Sequence, residues 1–244
     1  MFEEWHRHDL LRVLPRAWPQ VLRRYPDLAA LPKVAQWAAL ERPLMVRRRS
    51  PEDWEESLPV ALALPPASQK RRVALQVETA EISERVPGLT LRAVQKDAPL
   101  SWQPTVAAVL QAAAETGVEP RIYGSLLWEH LTGWSYLSAT SDLDLLWPVG
   151  DRECIVNLVS RLAAVEAKGA VRLDGEMILP DGGGVHWREL HCGASDVLVK
   201  TMTGIRLRPA YALFEVHPER MSNRQKMPQL QQIGQTTKGS SISG

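Results

Sequence analysis

Two carboxylates alternate with leucines in the run Asp142-Leu143-Asp144-Leu145-Leu146-Trp147. In an extended strand, successive side chains point to opposite faces, so Asp142 and Asp144 share one face and Leu143 and Leu145 the other. Adjacent like charges repel, and burying them unpaired is unfavourable. A divalent cation relieves that penalty, because Mg2+ is held by one or two carboxylates together with substrate phosphate oxygens. Upstream, Gly124-Ser125 opens a helical stretch whose free backbone N–H groups suit a phosphate. The chemistry these residues point to is metal-dependent transfer of a phosphate-bearing group.

The elements that position them come from the pattern of the chain. At 244 residues it is long enough for one large core or two modest ones. The formal net charge of +1 calls for neither nucleic acid nor an anionic membrane. Cys154 and Cys192 lack metal-ligand spacing and suit a reducing compartment. The acidic, aromatic start Met1-Phe2-Glu3-Glu4-Trp5 is unlike a signal peptide, and the longest apolar run, near 58–64, is too short to span a bilayer. The expectation is a cytoplasmic protein with no membrane and no nucleic-acid partner.

Residues 1–95 read as a smaller N-terminal α/β domain, to which the resemblance given below assigns the binding of substrate or carrier protein. Within it the pattern predicts a short helical turn over 8–14, a helix over 26–40, a strand over 44–46, a helix opening at Ser50-Pro51-Glu52-Asp53, and strands over 60–64 and 73–77. Pro87-Gly88 and the segment 96–104 mark the boundary. A catalytic domain over 100–216 then carries helices over 105–116, 126–131 and 151–166. Its strands fall at 121–123, around Asp142, and over 171–179, 185–190 and 197–200. Pro180-Asp181-Gly182-Gly183-Gly184 reads as a hairpin loop. Residues 217–244 are a polar tail, expected to be disordered.

The order strand, Gly-Ser turn, helix, Asp-x-Asp strand, helix, hairpin resembles the catalytic domain of the DNA polymerase beta-like nucleotidyltransferase superfamily. That resemblance implies an α+β fold, a nucleotidyltransferase-like mixed sheet with flanking helices. It also implies that Gly124 and Ser125 bind a triphosphate, and that Asp142, Asp144 and a third acid on a later strand hold two Mg2+ ions. Glu189 is the favoured third acid, being in the second hairpin strand, with Asp174 and Glu176 as rivals. An in-line displacement at phosphorus uses ions ~3.5–4 Å apart, so the carboxylates must converge from neighbouring strands.

The longer strings Pro120-Arg121-Ile122-Tyr123-Gly124-Ser125-Leu126-Leu127-Trp128-Glu129 and Leu137-Ser138-Ala139-Thr140-Ser141-Asp142-Leu143-Asp144-Leu145 resemble the phosphoribosyl-dephospho-CoA transferases of malonate decarboxylase. His8-Asp9-Leu10-Leu11, Arg42 to Arg48, Asp174-Gly175-Glu176, Val185 to Leu190 and Val197 to Thr201 support the resemblance. This family is also called malonate decarboxylase holo-acyl-carrier-protein synthase. The resemblance implies transfer of phosphoribosyl-dephospho-CoA from triphosphoribosyl-dephospho-CoA to a serine of the apo acyl carrier protein, with release of pyrophosphate. Arg47, Arg48 and Lys200 would contact donor phosphates or the carrier's acidic surface. The clusters Arg47-Arg48-Arg49 and Lys70-Arg71-Arg72 are otherwise solvated faces, and His8 and His186 read as structural. Two other functions fit the motif: a nucleotidyltransferase acting on a small molecule, protein or RNA, and an inactive nucleotidyltransferase-like binding module.

Overall fold

The structure, a computed structural model, describes residues 5–68 and 72–214, so the polar tail lies outside the described residues. It is an α+β protein built on two sheets. The first takes its strands β1 (Leu10–Val13), β2 (Leu44–Val46), β3 (Leu58–Ala63), β4 (Arg72–Val77) and β5 (Ile82–Val86) in the order β4-β3-β2-β1-β5. Every pairing within it is antiparallel.

Three short helices, α1 (Trp18–Arg23), α2 (Pro26–Ala29) and α3 (Pro32–Ala35), supply Trp18, Val21, Leu22, Leu28 and Val34 to the core beneath this sheet. The single helix expected over 26–40 is broken at Pro32. Proline has no N–H to continue the ladder, and it opens α3 instead. The expected turn over 8–14 is also corrected, to strand β1. Leu10 and Leu11 are both buried, Leu10 facing the second core and Leu11 the first, so two-sided burial hides the alternation of a strand. Ser50-Pro51-Glu52-Asp53 forms a turn closed by the Ser50 N–H to Asp53 Oδ2 hydrogen bond (2.7 Å), not a helix.

α4 (Leu91–Val94) and α5 (Gln103–Thr116) lead into the second sheet. Gly117, at φ 71°, ends α5 as the sequence predicts. Then follow β6 (Arg121–Ile122), α6 (Gly124–Thr132), β7 (Leu143–Pro148), α7 (Arg152–Glu166), β8 (Leu173–Ile178), β9 (Gly184–His186), α8 (Trp187–His191), β10 (Asp196–Lys200) and β11 (Ile205–Pro209). The strand order is β11-β10-β9-β8-β7-β6. β7 and β8 run parallel, with α7 as their crossover, and the other pairs are antiparallel.

Leu143, Leu145, Trp147, Leu173, Met177, Val185, Val197 and Val199 are buried in one cluster with residues of α5 and α7, such as Val109, Leu158 and Leu162. The opposite face of the same sheet carries Asp142, Asp144, Asp174 and Glu176, as strand alternation requires. Among the described residues no helix is long and apolar enough to cross a membrane.

Candidate active site

Gly124 stands where β6 hands over to α6, with φ 66°. A Cβ there would fall on Asp144 Oδ2, so only glycine allows this close approach and this left-handed backbone. The Tyr123 N–H donates to the Asp144 carbonyl at 3.2 Å, and the Ser125 N–H faces the Asp144 carboxylate. The Gly-Ser turn is thereby packed against the second aspartate of the Asp-x-Asp pair, with the N-terminus of α6 opening beside it.

Asp144 is paired in parallel register with Asp174, so strands β7 and β8 set two carboxylates side by side on one face. Burial, then the charge of Asp174, then that of Asp142, push the Asp144 carboxyl up to about 7. Opposing influences are the Ser125 N–H and, more weakly, exposed Arg72 of β4. Asp142 is partly exposed, with Arg172 Nη1 at 3.6 Å from its Oδ2. His186 orients Asp174. Its Nδ1 accepts the Arg188 N–H (3.2 Å), leaving Nε2–H to donate to Asp174 Oδ1 (2.9 Å). Tyr123, raised by burial and by Asp144, Asp174 and Glu176, remains a neutral phenol beside this acidic face.

Two residues further along β8, Glu176 is met by cations. Arg7 grips it with both terminal nitrogens, Nη1 to Oε2 at 2.9 Å and Nη2 to Oε1 at 3.2 Å, while Lys200 Nζ donates to Oε1 at 2.8 Å. His8 Nε2 lies 3.6 Å from Oε2. Burial opposes the charge of Glu176, but its contacts with His8, Arg7 and Lys200 outweigh that and hold it well below the usual carboxylate range. His8, at φ 71°, is held neutral by burial and packs 4.8 Å from the Tyr123 ring.

The expected set is therefore brought together in part. Gly124, Ser125 and Asp142 all lie close to Asp144, and Lys200 bonds to Glu176 two residues beyond Asp174 on β8. Glu189 is corrected. The stretch expected as a strand over 185–190 turns after His186 into α8, where Glu189 Oε2 accepts the Leu198 N–H at 2.8 Å. The acid facing Asp144 across the sheet is Asp174. Arg47 is corrected too, because its donors are committed within the first sheet. They reach Asp53 as an ion pair and the carbonyls of Val60, Arg48 and Leu75. Arg48 is exposed, and the next residue ties this strand end to the β10–β11 turn through Arg49 N–H to Met202 O (2.7 Å). Lys70 and Arg71 lie outside the described residues.

Among the described residues, no group of three or more His, Cys, Asp or Glu side chains is drawn together as a complete metal cage. The donor set still fits Mg2+. That ion takes one or two protein carboxylates and leaves its other positions to substrate oxygens, and Asp144 and Asp174 stand side by side with a mutual repulsion that a cation would relieve.

The family model of the phosphoribosyl-dephospho-CoA transferase MdcG N-terminal domain matches residues 6–87, and that of the MdcG C-terminal domain matches residues 90–210. A phosphoribosyl-dephospho-CoA transferase of Bradyrhizobium diazoefficiens is 38% identical over 201 residues, covering 82% of this chain and 88% of that protein. One of Xanthomonas euvesicatoria pv. vesicatoria is 40% identical over 187 residues, 77% of this chain and 88% of its own. Another, of Xanthomonas campestris pv. campestris, is 39% identical over 191 residues, 78% and 88% of the two chains. No solved structure matches.

Proposed function

The chain belongs to the phosphoribosyl-dephospho-CoA transferase family, and from that premise we propose what its acidic face does. It moves phosphoribosyl-dephospho-CoA from the triphosphate precursor to a serine of the apo acyl carrier protein of malonate decarboxylase, releasing pyrophosphate. One observation carries this reading: Asp144 stands half-buried beside Asp174, with its carboxyl pushed up to about 7 by burial and by the neighbouring acids. A negative pair of this kind costs stability unless a cation and its substrate complete it.

Asp144 and Asp174, with Asp142 beside them, would hold Mg2+, whose chemistry here is to neutralise the departing pyrophosphate and activate the phosphorus under attack. Ser125 and the N–H groups opening α6 bind the terminal phosphates, as backbone donors at a helix start do. Lys200, and Arg48 at the same junction, add positive charge for the donor or for the acidic carrier. His186 keeps Asp174 turned toward Asp144 by its hydrogen bond. The first sheet contributes the wall from which the carrier protein approaches.

The experiment incubates the protein with triphosphoribosyl-dephospho-CoA and apo carrier, with and without Mg2+, and weighs the carrier. A mass gain equal to the prosthetic group, requiring Mg2+ and matched by pyrophosphate, is expected. An unmodified carrier, with incorporation from an ordinary nucleoside triphosphate into another acceptor, would replace this reading with the nucleotidyltransferase one.

A further inference from the structure

The glycine-rich hairpin loop between β8 and β9 does more than turn the chain. A Cβ on Gly182 would collide with His6, and one on Gly184 would collide with Glu176 Oε2 and press on Arg7 Nη1. The loop is bare where residues 6 and 7 cross it, forming a cradle that seats the N-terminal segment against the catalytic sheet. Seated there, Arg7 engages both Glu176 oxygens, and its Nη1 also reaches the Lys200 carbonyl at 3.5 Å.

The charges in this cluster do not balance. Arg7 and Lys200 bring two cations to the single anion Glu176, since His8 is neutral. Arg7 is 13% exposed and Glu176 4%, whereas Lys200 is 33% exposed. Arg7 satisfies Glu176 from within, so the surplus positive charge falls on Lys200. Among the described residues, Lys200 Nζ spends one of its three N–H groups on Glu176, leaving two for a ligand. Glu176 lies two residues beyond Asp174 on the same face, so this surplus borders the paired acids.

We propose that Arg7 is a positioning residue for donor binding: by neutralising Glu176 it frees the charge of Lys200 for the polyphosphate of the donor. The inference rests on the reading of Lys200 as a phosphate contact. Without Arg7, Glu176 and Lys200 would form a closed neutral pair, and the phosphate would compete with a buried carboxylate for the same ammonium.

The test measures calorimetric binding of inorganic tripolyphosphate, with Mg2+ present, to the full chain and to R7A, E176Q, the R7A/E176Q double variant and K200M. R7A should bind about fivefold to tenfold more weakly, the loss of one charge-assisted contact. E176Q should bind about threefold more tightly, and the double variant should return to within about threefold of the parent. The KM for the donor should follow these changes while kcat moves less. Equal affinity in R7A and parent, or no recovery in the double variant, overturns the proposal. Should R7A fail to fold by circular dichroism, E176Q decides, and unchanged or weaker binding there overturns it. K200M binding as tightly as the parent removes the premise about Lys200 and the proposal with it. Weak binding by K200M beside an unaffected R7A rejects the role of Arg7 alone.

Discussion

Asp144, half-buried, and Glu176, buried, are carboxylates on neighbouring strands of one sheet face, and their surroundings treat them in opposite ways. Asp144 meets other acids and backbone N–H groups, and its carboxyl is pushed up to about 7. Glu176 meets Arg7, His8 and Lys200 and is held ionised far below the ordinary range. Burial acts in the same direction on both, so the neighbours decide the outcome. Glu176 is given its cations by the protein itself. On the function proposed above, an acid left beside other acids takes its positive charge from outside.

The comparison breaks first at Asp144. Asp144→Asn should lower transfer by about a thousandfold or more while keeping the fold, checked by carrier mass spectrometry and circular dichroism. Substantial turnover would place the reacting centre elsewhere. Asp174→Asn should cost about a hundredfold, whereas Glu189→Gln, which keeps an acceptor for the Leu198 N–H, should stay within about threefold. The opposite ranking in a rate assay would restore Glu189 as the third acid.

Stability against pH sharpens the contrast. For Asp144 the native pKa of about 7 exceeds the ordinary 3.8, so the unfolded chain ionises first as pH rises. Its presence therefore lowers stability progressively between those two values, and the penalty is complete above them. Metal-free Asp144→Asn should be more stable than the parent by roughly 1–3 kcal/mol at pH 8 in urea unfolding, with the gap closing below about pH 4. Added Mg2+ should raise the melting temperature of the parent and not of the variant. Glu176 has the other sign. Its native pKa is depressed, so its contribution is present at neutral pH and is lost as pH falls below the ordinary carboxylate value. Glu176→Gln should accordingly destabilise by roughly 1–3 kcal/mol at pH 7, with the difference shrinking in acid. Variants with equal unfolding curves at both sites would erase the distinction.

The sequence discloses the parts of this site that are local. Asp142-Leu143-Asp144 fixes its own faces by alternation, and Gly124-Ser125 marks a turn into a helix. What it conceals depends on partners far along the chain. His186-Trp187-Arg188-Glu189-Leu190 reads equally as strand or helix, since Trp187 and Leu190 also have helical spacing. The His186 Nδ1 cap on Arg188 N–H decides for helix and takes Glu189 away from the sheet face. Asp174 becomes the paired acid only through the register of β7 with β8, which no local pattern encodes. Arg7 gives no signal at all before the fold brings it to Glu176, and β1 is masked by having a core on each side.

The contact between Arg7 and Glu176 closes a loop of 169 residues. During synthesis Arg7 must therefore wait for its partner, although β1 beside it can already pair with β2 and β5, until the β8–β9 hairpin that ends at His186 has been made. Loops of that length close late and slowly relative to local contacts. A chain ended before β8 can thus contain Gly124, Ser125, Asp142 and Asp144 and still lack both Asp174 and the Glu176 that seats Arg7.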